Sequence, residues 1–95
     1  MFVIILKYVK PLEEIDRLVQ DHVEFLERFY HSNHFIVSGP RNPRVGGIIL
    51  ANADSQQGVW DIIKQDPFYQ NEAAEYEVIE FIASKFTPEI ISLVK

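Results

Sequence analysis

FIVSGPRNPRVGGIILA, residues 35–51, sets two short apolar runs on either side of a turn rich in proline and arginine. Apolar runs with β-branched residues, bounded by Gly and Pro, read as strands. Phe35 to Val37 therefore forms one strand, ending at Ser38, Gly39 and Pro40, and residues 45–51 form the next. Gly46 and Gly47 inside the second mark a bulge or a close backbone approach. What flanks this pair decides the fold. Phe2 to Val9 is another apolar strand, followed by Leu12, Ile15, Leu18, Val19, Val23, Leu26, Phe29 and Tyr30 at helical spacing. Pro11 suits the first position of that helix, Glu13 and Glu14 its first turn, and Asn33 a left-handed C-cap. Beyond residue 51 a second helix opens at Asp54 or Ser55, with Gln57 placed to complete a capping box around Asp54. It buries Val59, Ile62 and Ile63 and stops at Pro67. Residues 76–82, YEVIEFI, give a fourth strand, and Thr87 caps a short C-terminal helix with Pro88 in its first turn.

The order βαββαβ predicts an α+β, ferredoxin-like domain with an antiparallel sheet, spanning residues 1–95 with a core at about 2–82 and a helical extension at 87–95. Its strands carry a further message. An antiparallel sheet with one wet face should alternate apolar and polar residues, yet FVIIL, FIV and IILA are apolar on both faces. Two helices cover one face only. A second copy of the sheet is the expected cover for the other, which predicts a homodimer through facing sheets.

Composition narrows the partners. Nine basic residues against 14 acidic ones give a net charge of −5. The basic residues are scattered, so nucleic acid is not an expected partner. There is no cysteine, which excludes disulfides and thiolate catalysis. MFVIILKYVK is too short for a secretion signal with a cleavage site, and no run approaches the roughly 20 apolar residues of a membrane span. A soluble, cytoplasmic protein without a membrane partner is expected.

Two residues stand out as polar groups in apolar company. On a wheel of about 100° per residue, His22 lies among Ile15, Leu18, Leu26 and Phe29, opposite Glu13, Arg17 and Glu24. It is either a core histidine bonded to a backbone carbonyl or a proton-transfer group on the floor of a pocket. Asp66 follows Ile62 by four residues, so it faces inward, and it stands at the predicted C-terminus of the second helix, the negative end. Such a carboxylate needs a donor. His22 across the same sheet face would serve, or the turn after Pro67 would. Arg41 and Arg44 in the RNPR turn either bind an anion or are solvated. His31 and His34 lack partners at metal-binding spacing, and no metal or cofactor is expected.

DHVEFLERF, FIVSGP and GGIILANADSQQGVWDIIKQDPF together resemble the YciI-like (YCII-related) family. That family's pattern has a histidine on the first helix, a Gly-Pro ending the second strand and an Asp-Pro-Phe after the second helix. The resemblance covers about residues 2–82. It implies a dimeric α+β barrel and a His–Asp pair in a pocket, here His22 and Asp66, with Ser38, Gly39, Pro40 and Phe68 as substrate-binding lining. Two departures are visible: Asn33 stands where many members have glycine, and TPEIISLVK runs past the usual family end. One branch of the family resembles a dehydrochlorinase of a chlorinated hydroxyquinol. Two functions follow as expectations. One is a metal-independent lyase or isomerase acting on a small cyclic substrate, with His22 as acid or base and Asp66 as its orienter. The alternative is a non-catalytic dimer that binds a small ligand or serves in stress.

Overall fold

A computed structural model describes residues 1–94. Strand β1 (Phe2–Tyr8) is followed by helix α1 (Leu12–His31) and by the hairpin of β2 (Phe35–Pro40) and β3 (Gly46–Ala51). Helices α2 (Gln56–Ile63) and α3 (Pro67–Gln70) lead into β4 (Ala74–Glu80). A 3-10 turn (Pro88–Ile90) and α4 (Ile91–Val94) end the described chain, so the last residue of the expected extension, Lys95, lies outside the described residues. The strands lie in the order β2-β3-β1-β4, every neighbouring pair antiparallel. The arrangement is ferredoxin-like, as the order of elements predicts.

Alternation along β1 organises the interior. Phe2, Ile4 and Leu6 are buried and pair in register with Ala51, Ile49 and Gly47 of β3. These residues pack beneath Ile15, Phe25 and Phe29 of α1 and Val59, Ile62 and Ile63 of α2. Each large apolar side chain buried this way stabilises the fold by about 1.5–3 kcal/mol. Val3, Ile5, Ile48 and Leu50 alternate to the opposite face, where Val37, Ile48 and Ile79 are exposed.

Several local readings need correction. Ser55, not Asp54, caps α2, accepting a hydrogen bond from the Gly58 amide at 3.1 Å, while Gln57 reaches forward to Asp61. The bulge lies in β2 between Phe35 and Val37. Gly46 makes the close backbone approach: a Cβ there would sit 1.8 Å from the Leu6 carbonyl oxygen, so no side chain fits. Asn33 does take the left-handed conformation, at φ 66°. Strand β4 begins two residues earlier than expected, and Thr87 makes no capping bond. On α1, Leu12 and Val23 are exposed although their spacing joins the stripe, and Phe25, outside that stripe, is buried. The cause is α3, a helix the sequence reading omits, which covers the Phe25 flank of α1.

Candidate functional site

The largest departure from the sequence reading is also the most informative. Helix α2 ends at Ile63, and Asp66 does not belong to it. The residue before a proline is steered away from helical angles, and Asp66 is extended, at φ −75° and ψ 125°. Pro67 then occupies the first turn of α3, where its missing N–H costs nothing. Asp66 is the N-cap of α3, and its Oδ1 accepts the Phe68 amide at 3.0 Å. A carboxylate suits that end of a helix. Asp-Pro is both a stop and a start.

The same carboxylate is fully buried and collects two side-chain donors. His22 Nδ1 lies 2.8 Å from Oδ1, and the Tyr76 hydroxyl donates to Oδ2 at 2.6 Å. With a phenol and an amide also converging on it, the carboxylate is the acceptor, so Nδ1 carries the imidazole proton. Both sequence alternatives for Asp66 are therefore realised together: it bonds to His22 and to the turn after Pro67. The Phe68 ring, from the same short helix, stacks on His22 with centroids 4.1 Å apart and planes at 15°. Phe25 flanks the imidazole at 5.9 Å. The ring is held by one hydrogen bond and two aromatic faces.

Its remaining nitrogen is free. No protein group bonds Nε2 among the described residues, and no buried side-chain polar atom there lacks a partner, so Nε2 reaches open space. That space is a cavity of about 230 Å³ between α1 and the sheet. Helix α1 contributes Val19, Val23 and Leu26 beside His22, and β2 contributes Ser38, Gly39 and Pro40. Leu6 and Ile49 form the floor, and Phe68 closes one side. All the residues singled out as lining therefore meet in one place. Ser38 is held by Tyr30, hydroxyl to hydroxyl at 2.5 Å. Arg44 and Tyr8 complete the polar part of the wall.

Tyr76 is the residue that sequence reasoning missed. It pairs with Leu6 in register, on the helix side of β4. Burial first, and next the Asp66 charge, push its phenol well above the usual tyrosine value, so it stays a neutral donor. A partly buried tyrosine needs a hydrogen-bond partner, which is the signal that a search for Asp66 donors would have used. Below about pH 10 this raised pKa contributes full stability. Above it, the unfolded chain loses the phenol proton while the folded chain keeps it, so stability falls by up to about 1.4 kcal/mol per pH unit. Tyr76→Phe is expected to lower stability at neutral pH by about 1.5–3 kcal/mol, the worth of a hydrogen bond to a charged group. It should also remove this alkaline slope, as urea titrations at neutral and alkaline pH will show.

A family model described as the YCII-related domain matches residues 1–82. The chain belongs to the YCII-related family. No curated protein matches it. Among solved structures, this YCII-related chain is similar to the 5-chloro-2-hydroxyhydroquinone dehydrochlorinase of Burkholderia phenoliruptrix AC1100 in complex with 2,5-dihydroxybenzoquinone. The similarity has a TM-score of 0.72 at 19% identity, over 85% of this chain and 93% of the other. It establishes a common fold. Residues 83–95 lie beyond the family match; in this segment the Leu93 carbonyl accepts from the Asn52 side chain at 2.6 Å, tying the tail to the end of β3. Among the described residues no three His, Asp or Glu side chains converge as metal ligands, and no helix is long and apolar enough to cross a membrane.

Proposed function

We propose that this YCII-related protein is a lyase- or isomerase-type enzyme acting on a small hydroxylated ring, with His22 as its proton-transfer base. The observation that carries this reading is the orientation of one imidazole. Its Nδ1 is committed to the buried Asp66 carboxylate, and its Nε2 opens on an apolar cavity. Nε2 takes a proton from an acidic C–H or O–H of the ligand, and Asp66 stabilises the imidazolium that forms. In an isomerisation the proton returns to another ring atom. In an elimination the electrons of the broken C–H bond form a double bond, and the leaving group departs with its own bonding pair. A volume of about 230 Å³ suits one substituted six-membered ring. A neighbour that is a dehydrochlorinase holding 2,5-dihydroxybenzoquinone supports this substrate class.

The test is a panel of chlorinated and unsubstituted hydroxyhydroquinones, followed by chloride release, by absorbance and by exchange of ring protons with deuterated water. Turnover or exchange that requires His22 supports the enzyme. Tight binding without either identifies the alternative, a ligand-binding protein in which the same pair holds the ring.

The active assembly in this reading is a homodimer closed through the free sheet face, where Val37, Ile48 and Ile79 are exposed together. Light scattering at micromolar concentration is expected to give twice the mass of the 11.1 kDa chain. A mass of one chain would rule the dimer out.

A further inference from the structure

The cavity wall is electrostatically one-sided. No Asp or Glu lines it, although the chain holds 14 of them and carries a net charge of −5. Asp66 lies behind the imidazole, fully buried, with its oxygens already occupied by donors. Among the described residues the one permanent cation on the wall is Arg44, in the turn between β2 and β3. That turn is anchored: the Tyr8 amide donates to the Val45 carbonyl at 2.8 Å and the Arg41 amide to the Gly46 carbonyl at 2.9 Å. Arg41, the other arginine of the turn, is not on the wall.

Arg44 sits at the exposed edge of the cavity, its guanidinium tethered on one side. Its Nη2 donates to Asp16 of α1 at 2.6 Å, and Asp16 itself is outside the cavity lining. One N–H is thereby used, and a guanidinium has five. Several of the others remain for a ligand, and Tyr8 shares the same stretch of wall. A planar fork of this kind matches the oxygens of a delocalised anion better than a neutral hydroxyl.

We propose that Arg44 determines the specificity of the cavity, selecting a ring that carries an anionic oxygen, a phenolate or enolate, over the neutral hydroxy compound. This rests on the proposed function and names its substrate class. The ring lies in the apolar part of the cavity, its oxyanion faces the Arg44 guanidinium, and its acidic position faces His22 Nε2. The same arginine then stabilises negative charge that builds on the ring oxygen when His22 removes a proton.

4-Nitrophenol tests this without turnover, because its phenolate is coloured and its neutral form is not. Bound to the wild-type protein, its apparent pKa is expected to fall by about one unit, a tenfold preference for the anion. Arg44→Gln should abolish that fall, and Arg44→Lys should restore part of it; circular dichroism will confirm that each variant is folded. A fall that survives in Arg44→Gln would come from His22 alone and overturn the proposal. An unshifted or raised pKa, or no binding, overturns it too. A lowered nitrophenol pKa with no turnover in the hydroxyhydroquinone panel would leave Arg44 as an anion selector and remove the enzyme. Turnover that is indifferent to Arg44→Gln would do the reverse.

Discussion

Asp66→Ala is expected to destabilise the protein by about 3–5 kcal/mol, the cost of removing one partner from a buried polar group. Three donors lose their acceptor at once: His22 Nδ1, the Tyr76 hydroxyl and the Phe68 amide. Orphaned buried groups cost about 1–3 kcal/mol each, and loss of a helix cap costs about 1 kcal/mol more. Some will recover by reaching water, so the sum is an upper bound. For a domain of this size the change lowers the melting temperature on the order of 15–30 °C. Asp66→Asn separates structure from chemistry. Asparagine caps a helix as well as aspartate, and its amide still fills the site, so the loss should be about 1–2 kcal/mol. Calorimetry on the two variants measures both. Equal stability of Asp66→Ala and wild type would show that the network holds nothing together.

His22→Gln should remove the activity found in the substrate panel by a factor of about 10²–10⁴, the usual worth of a positioned base. Stability should change little by comparison. Glutamine can still donate to Asp66 while offering no basic nitrogen to the cavity, and the Phe68 ring loses only a stacking partner worth about 0.5–1.5 kcal/mol. Asp66→Asn should be nearly as inactive, for a different reason. Asparagine keeps its oxygen toward Nδ1 and the Phe68 amide, which share Oδ1 in the wild type, but it carries no charge to stabilise the imidazolium that forms. Steady-state rates of both variants, measured on folded protein, decide this. Near-wild-type rates in His22→Gln would remove His22 as the proton-transfer base.

Much of this arrangement is legible in the chain because its signals are local. The hairpin at residues 35–51 and the helical spacing of α1 rest on period and turn chemistry, and both appear where expected. His22 and Asp66 are visible as polar residues on apolar faces, and the structure places them 2.8 Å apart. What was not legible depends on how one residue is shared between elements. Pro67 ends one helix and starts another, and taking it as a stop alone hides α3. Without α3, Asp66 looks electrostatically misplaced, Phe25 looks peripheral, and Phe68 has no reason to stack on an imidazole. Tyr76 was hidden because strand period assigns a face but says nothing of what a hydroxyl meets 10 residues away in sequence. Arg44 could be named as one of two arginines in a turn, but only its place on the cavity wall distinguishes it from Arg41.

The most direct test of the central claim is the protonation pattern of the His22 ring, read by nitrogen-15 NMR of the wild-type protein at a pH where the imidazole is neutral. The account predicts the proton on Nδ1, facing Asp66, with Nε2 unprotonated and shifting when 2,5-dihydroxybenzoquinone is added. A wild-type ring protonated on Nε2, with no response to the added quinone, would contradict it.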